Sequence, residues 1–367
     1  MPTFLQSLYC LLYYLFVGLI GYNGNINRRI RREPNPNLTL FMVLATFLYV
    51  LTYFIDTDYF HYEALVQDYS QREVFHVEPV YGLIAAASFY NYILFRIIVW
   101  GGALLLFCKT VKISHTNLNH ALYTLFIIFI GIFAYARATL GMAFAYCGLA
   151  LIVQNPPGVK KILGFGLLLC SIIFHSSMAL IIGVAIISLI MPLNKKTLLI
   201  SLVSTAIGAV AITGLFISIL TDNQLGDAYV MSKLYTYTSG NMEDDPTTML
   251  GKIKYSLAAA AYYLGVFFCI QSIFKLKAKG IKVSKLQEVF TKCALLIILL
   301  STLLLFLPLG VNVFAYRIRY MAMIPICICL TSMTDKGLIS LSKYRLCMGM
   351  GAAAMLMALL YNVKDTV

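Results

Sequence analysis

The chain has 367 residues, 60% hydrophobic and 12% charged, with a formal net charge of +13. A soluble domain carries about 25% charged residues, so this composition excludes an ordinary soluble enzyme and predicts an all-α polytopic integral membrane protein, one domain over 1–367. The basic excess does not point to nucleic acid: it sits in short loops between apolar runs, where positive charge marks cytoplasmic loops and meets anionic lipid.

The opening run MPTFLQSLYCLLYYLF has no basic n-region and no small-residue cleavage site, so it is read as the first span and not as a leader. Further apolar runs follow near 38–55, 92–108, 120–136, 138–154, 162–176, 178–192, 198–220, 255–274, 289–308, 318–334 and 346–361, which predicts about twelve transmembrane helices. The segment 80–90, introduced by Pro79, is too short to cross and reads as a re-entrant or interfacial helix. The nine cysteines lie within or at the ends of apolar runs, which predicts no disulfide framework and no metal site.

Charge assigns the sides. Arg28, Arg29, Arg31 and Arg32 follow span one, Lys109 and Lys112 span three, Lys160 and Lys161 span five, Lys195 and Lys196 span seven. Lys275 to Lys292 follow span nine, and Lys336, Lys343 and Arg345 span eleven. Every basic loop follows an odd-numbered span, which puts both chain ends outside and these loops in the cytoplasm. The two long loops, 56–78 and 221–254, are acidic and fall outside. Loop 221–254, with Tyr229, Tyr235 and Tyr237, reads either as a cover whose flat rings suit sugars or as a plain exposed loop.

Four arginines run against this pattern. Arg137 is the sole charge between Tyr123 and Ile152, at the tip joining spans four and five. Arg96 lies one turn into span three, and Arg317 and Arg319 open span eleven. A guanidinium keeps its proton and is costly in lipid, so four of them at the outer boundary predict a bound anion held by planar forks of donors. Individual salt bridges to Asp56, Asp58 or Glu78 are the alternative. Positions two apart on a helix face different ways. A helical 316–320 therefore lets one of Arg317 and Arg319 face the site, Arg317 preferred with Tyr320 a turn beneath it; an extended segment lets both.

His175, in CSIIFHSSMAL, sits at the tip between spans six and seven. It reads as a base, as a donor to phosphate with Ser176 and Ser177 beside it, or as a helix-end histidine satisfied by carbonyls. Asp56 and Asp58 emerge at the membrane surface and Glu78 precedes the short helix, as a general base or a helix cap.

These residues form a pattern: Asp56-x-Asp58-Tyr59-x-x-Tyr62, Glu78-Pro79 before a short apolar segment, Arg137-x-x-x-Gly141, Phe174-His175-Ser176-Ser177, and Arg317-x-x-Tyr320. The pattern, over roughly 45–330, resembles the EpsG/Wzy group of polysaccharide polymerases. The resemblance implies a GT-C-like fold in a bacterial inner membrane with the active site facing the periplasm. It implies a glycosyltransferase that moves a glycan from undecaprenyl pyrophosphate onto a new lipid-linked repeat unit, releasing undecaprenyl pyrophosphate. O-antigen polymerase in lipopolysaccharide biosynthesis is the leading member, with capsule or exopolysaccharide polymerase beside it.

In that reading Arg96, Arg137, Arg317 and Arg319 bind the pyrophosphate. Glu78, Asp58 and His175 are the catalytic candidates, in no set order, and Asp56, Tyr62, Ser176 and Tyr320 bind substrate. No cofactor is expected and the reaction is metal-independent. The partners are lipid-linked oligosaccharide, membrane lipid and a chain-length regulator protein. The rival readings are a lipid-linked oligosaccharide flippase, which would show repeated halves and mid-membrane charges, an O-antigen ligase, which would share the donor, and a membrane acyltransferase.

Overall fold

The computed structural model describes residues 4–27, 35–53, 57–68, 79–135, 138–194, 249–305 and 312–364, with isolated positions 196, 203 and 207. Every regular element among them is helical. The expected span 198–220, but for positions 203 and 207, and most of loop 221–254 lie outside the described residues.

The helices follow the apolar runs. α1 (Phe4–Tyr22) leads to α2 (Pro36–Leu51), started by the Asn35 side chain, which accepts from the amides of Asn37 and Leu38, and by Pro36 in the first turn. α3 (Thr57–Asp68) lies within the first long loop, and α4 (Pro79–Ala87) is the short helix expected near 80–90. α5 (Tyr92–Arg96) continues through a π-helical turn, Ile97–Gly101, into α6 (Gly102–Ile113). α7 (Leu118–Thr124) likewise runs through a π-helical turn, Leu125–Phe129, into α8 (Ile130–Tyr135). Then come α9 (Thr139–Gln154), α10 (Val159–Phe174), α11 (Met178–Ile190), α12 (Met249–Ala278) and α13 (Lys285–Leu305). α14 (Asn312–Tyr320), α15 (Met323–Asp335) and α16 (Leu341–Lys364) complete the chain.

Among the described residues five helices are long and apolar enough to cross a bilayer: Phe4–Asn25, Tyr92–Ile113, Leu257–Ala278, Lys285–Leu304 and Leu341–Leu360. Pro36–Leu51, Leu118–Ala134, Thr139–Gln154 and Met178–Ile190 are shorter apolar helices. The chain is a multi-pass membrane protein.

The expected span 318–334 differs from what forms. It is two helices, α14 and α15, separated at Met321 and Ala322. Pro325 explains the break: it has no N–H to donate to the carbonyl of Met321 four residues earlier. That carbonyl instead accepts from the Tyr146 hydroxyl of α9 at 2.7 Å. Arg317 and Arg319 therefore lie in the last turn of a separate short helix.

Hydrogen bonds fix the two ends of the bundle. At the basic end, His120 Nδ1 lies 2.6 Å from Asp335 Oδ1, Asn119 donates to the Asn35 carbonyl, and Lys277 donates to Glu288 and to the Leu193 carbonyl. Helices leaving this end rise ~1.5 Å per residue, so Val50 of α2, Ala134 of α8 and Met323 of α15 lie at the opposite end. α9 and α10 pack closely through facing glycines. A Cβ on Gly148 would sit 2.6 Å from the Gly164 carbonyl oxygen, and one on Gly164 2.8 Å from that of Gly148. Small residues are what let two membrane helices approach this closely.

Candidate functional site

Arg96, His175 and Arg319 all lie toward the end opposite the basic loops, each with a distinct environment. Arg96 is 2% exposed. Its guanidinium donates to the Val50 carbonyl, to the Ala134 carbonyl at 3.1 Å and to the Tyr92 hydroxyl at 3.2 Å. It also lies over the Trp100 ring at 4.5 Å. Arg96 thus serves orphan carbonyls in the last turns of α2 and α8, and the π-helical turn that follows it brings Trp100 under its charge.

Arg317 and Arg319 part company because α14 is helical: Arg317 is exposed, Arg319 only 1% exposed. The Arg319 guanidinium lies 5.1 Å from the Tyr316 ring and 5.6 Å from the Tyr262 ring of α12. Among the described residues no carboxylate pairs with it. Its Nε and the Tyr262 hydroxyl are both buried, and neither has a hydrogen-bond partner there. Tyr262 in turn packs edge-on against Phe129 at 5.0 Å, on the π-helical turn preceding α8. The α7–α8 run therefore links the two arginines: Ala134 meets Arg96, and Phe129, five residues earlier, meets the partner ring of Arg319.

His175 follows the last residue of α10, with extended backbone (φ −165°, ψ 125°). Its Nδ1 accepts from the Ser177 amide at 3.2 Å and lies 2.6 Å from the Ser177 hydroxyl. The preceding Phe174 stacks on Phe144 of α9 at 4.6 Å and meets Tyr81 of α4 edge-on at 6.4 Å. Tyr81 also packs on Phe95, next to Arg96, at 6.1 Å. One aromatic chain thus joins α4, the start of α5 and the His175 turn. Gly141 completes the join: a Cβ there would meet Met178 Cγ at 2.9 Å and the Ser171 carbonyl at 3.2 Å, on either side of His175. This is the physical reason for a glycine four residues after Arg137.

Of the other expected site residues, Arg137, Asp56 and Glu78 lie outside the described residues, as does the side chain of Asp58 in α3. Tyr62 on α3 and Tyr320 at the end of α14 are half-buried, and Ser176 is exposed. Among the described residues no group of three His, Cys, Asp or Glu side chains is arranged to hold a metal. All nine cysteines are free thiols. Sequence reasoning missed Tyr262, Tyr316, Trp100 and Tyr146, the aromatic partners of the arginines and of the Pro325 break.

Arg96 and Arg319 are thus buried cations in an apolar helical bundle, the class of a multi-pass membrane protein. The model of the EpsG family matches residues 37–366. The chain belongs to this family, a Wzy-like family of polysaccharide polymerases. No curated protein and no solved structure matches the chain.

Proposed function

We propose that the protein polymerises lipid-linked repeat units at the outer face of the bacterial inner membrane, using undecaprenyl-pyrophosphate-linked glycan as donor. The observation that carries this reading is Arg319. A charge taken out of water costs several kcal/mol even after relaxation. Two cation–π contacts return about 0.5–2 kcal/mol each. The remainder calls for an anion, and the unpartnered Arg319 Nε and Tyr262 hydroxyl are donors suited to phosphate oxygens.

In the reaction an acceptor sugar hydroxyl attacks the anomeric carbon of the donor glycan. The bond from that carbon to the phosphate oxygen breaks, and its electron pair leaves with the diphosphate. Fixed cations facing that oxygen stabilise the transition state more than the ground state. Arg319 is the preorganised cation, with Arg137 completing the clamp; Arg317, two positions away on the helical α14, faces another way. Arg96 acts through the helix ends it fixes, since its donors are committed to the Val50 and Ala134 carbonyls. Glu78, Asp58 or His175 takes the proton of the attacking hydroxyl; Asp56, Tyr62, Ser176 and Tyr320 contact the sugars. Both chain ends lie outside, about twelve helices cross, the architecture is GT-C-like, and a chain-length regulator protein is the natural partner.

The test is glycan length in cells at equal protein level. Arg137→Ala and Arg319→Ala are expected to leave single repeat units in place of long chains. Normal chain length in both contradicts the diphosphate clamp, and loss of every attached unit, the first included, favours a ligase.

A further inference from the structure

We infer that the turn between α4 and α5 is seated in lipid, with the Phe89 ring among the acyl chains of the leaflet on the Arg96 side. The inference needs only a multi-pass membrane protein and stands whether or not the chain polymerises glycan.

A backbone conformation that side chains avoid is the first observation. Phe89 and Tyr90 are consecutive residues at φ 53° and 56°. This left-handed region crowds Cβ against the following carbonyl and suits glycine. Hydrogen bonds impose it here. The Tyr90 amide donates to the Ala85 carbonyl at 2.8 Å and the Phe89 amide to that of Ala86 at 3.0 Å, which closes the end of α4. The same pair of bonds closes α6, α12 and α15, where the left-handed residue two places past the helix is His115, Gly280 and Gly337. α4 puts a phenylalanine at that place, and it is 84% exposed. The protein core therefore does not offset the strain. A large apolar ring held outward at a strained position calls for apolar surroundings outside the protein.

Lipid meets the other requirements of this segment. From Val80 to Phe95 the sequence carries no charge. Besides Phe89, the exposed side chains there are Leu83, Ala86, Ala87, Ile93 and Leu94, with Asn91 the one polar member. Ile93 and Leu94 belong to the apolar helix Tyr92–Ile113, one of those long enough to cross a bilayer, so this surface continues the lipid face of a span. Irregular backbone at membrane depth has to satisfy its own polar groups. This turn does so: the Ser88 amide donates to the Ile84 carbonyl and the Asn91 amide to the Ser88 carbonyl, which gives each amide from Ser88 to Asn91 an internal partner. The Ser88 hydroxyl donates to the Ala85 carbonyl at 2.8 Å. Only about a turn of α5 separates this segment from Arg96, near the end of the bundle, which puts the ring at the boundary of headgroups and acyl chains. The same short helix holds Tyr81 against Phe174, beside His175, so the depth of the turn in lipid sets the position of α4 against the candidate site.

Tryptophan at position 89 reports that depth. The chain has one native tryptophan, the buried Trp100, so the wild type supplies the background. Full-length F89W is reconstituted in phosphatidylcholine vesicles with and without bromine on the acyl chains near the headgroup, and the wild-type emission is subtracted. The remaining emission should fall to about half or less with brominated chains and stay unchanged with aqueous iodide. L83W, on the same exposed surface of α4, carries the test if F89W does not fold. Iodide quenching as strong as bromine quenching would put the ring in water and overturn the inference. Emission that responds to neither quencher would mean a protein surface, such as a second copy of the chain, covers the turn, and overturns it as well.

Discussion

Arg96 holds the last turn of α8 by donating to the Ala134 carbonyl at 3.1 Å, three residues before Arg137 in the sequence. The same guanidinium donates to the Val50 carbonyl at the end of α2. One side chain therefore sets the relative height of two helix ends, and with it the point from which the Arg137 segment departs. Its role in the account is placement.

Arg96→Ala should leave both carbonyls buried without a partner, at a cost of about 1–3 kcal/mol each. The expected result is a lower thermal midpoint for the detergent-purified protein together with lost polymerisation. Arg96→Lys, with one compact ammonium in place of a fork, should recover only part of both. An alanine variant as stable as wild type would show that the clamp carries no weight.

Tyr146→Phe removes the donor to the Met321 carbonyl that Pro325 leaves exposed. Both partners are buried, so about 1–3 kcal/mol of stability should go with it. Restoring the backbone donor with Pro325→Ala in the same chain should recover part of the loss; a double variant no better than Tyr146→Phe would contradict this origin of the break.

Gly148→Ala places a methyl 2.6 Å from the Gly164 carbonyl oxygen, a contact that forces α9 and α10 apart. Overpacking of this kind costs about 1–3 kcal/mol. Because α10 carries His175 at its end, polymerisation should fall with stability. Gly166→Ala, where a Cβ meets nothing within 4 Å, is the matched control and should be neutral.

What could be read from the chain alone follows from physics that is local. The short helix after Pro79 forms as Pro79–Ala87, because a proline start and nine residues of apolar composition suffice to specify it. The turn at His175 falls between two apolar runs, as the charge-free tip implied. The expected choice between Arg317 and Arg319 hinged on helicity, and α14 is helical; which of the two is buried depended on Tyr262, about sixty residues away in the chain, and no local pattern carries that. A tyrosine in an apolar run looks like core until its partner is known. Arg96 is similar, since its partners include backbone carbonyls, which have no sequence signature. Pro325 was a visible signal of the break between α14 and α15, three residues into an apolar stretch.

Arginines supply the positive charge in this mechanism, so polymerisation by the purified protein should survive EDTA and gain nothing from added magnesium. Activity abolished by the chelator and restored by a divalent ion would show that a metal shares the diphosphate.

The central claim is that Arg319 waits for an anion. The direct measurement is the affinity of undecaprenyl pyrophosphate for the protein in nanodiscs, wild type against Arg319→Ala and Arg319→Lys, with folding checked by thermal midpoint. Loss of a charge-assisted contact of about 1.5–3 kcal/mol predicts that folded Arg319→Ala binds roughly 10- to 100-fold more weakly, with lysine in between. Equal affinity in all three proteins would contradict the account.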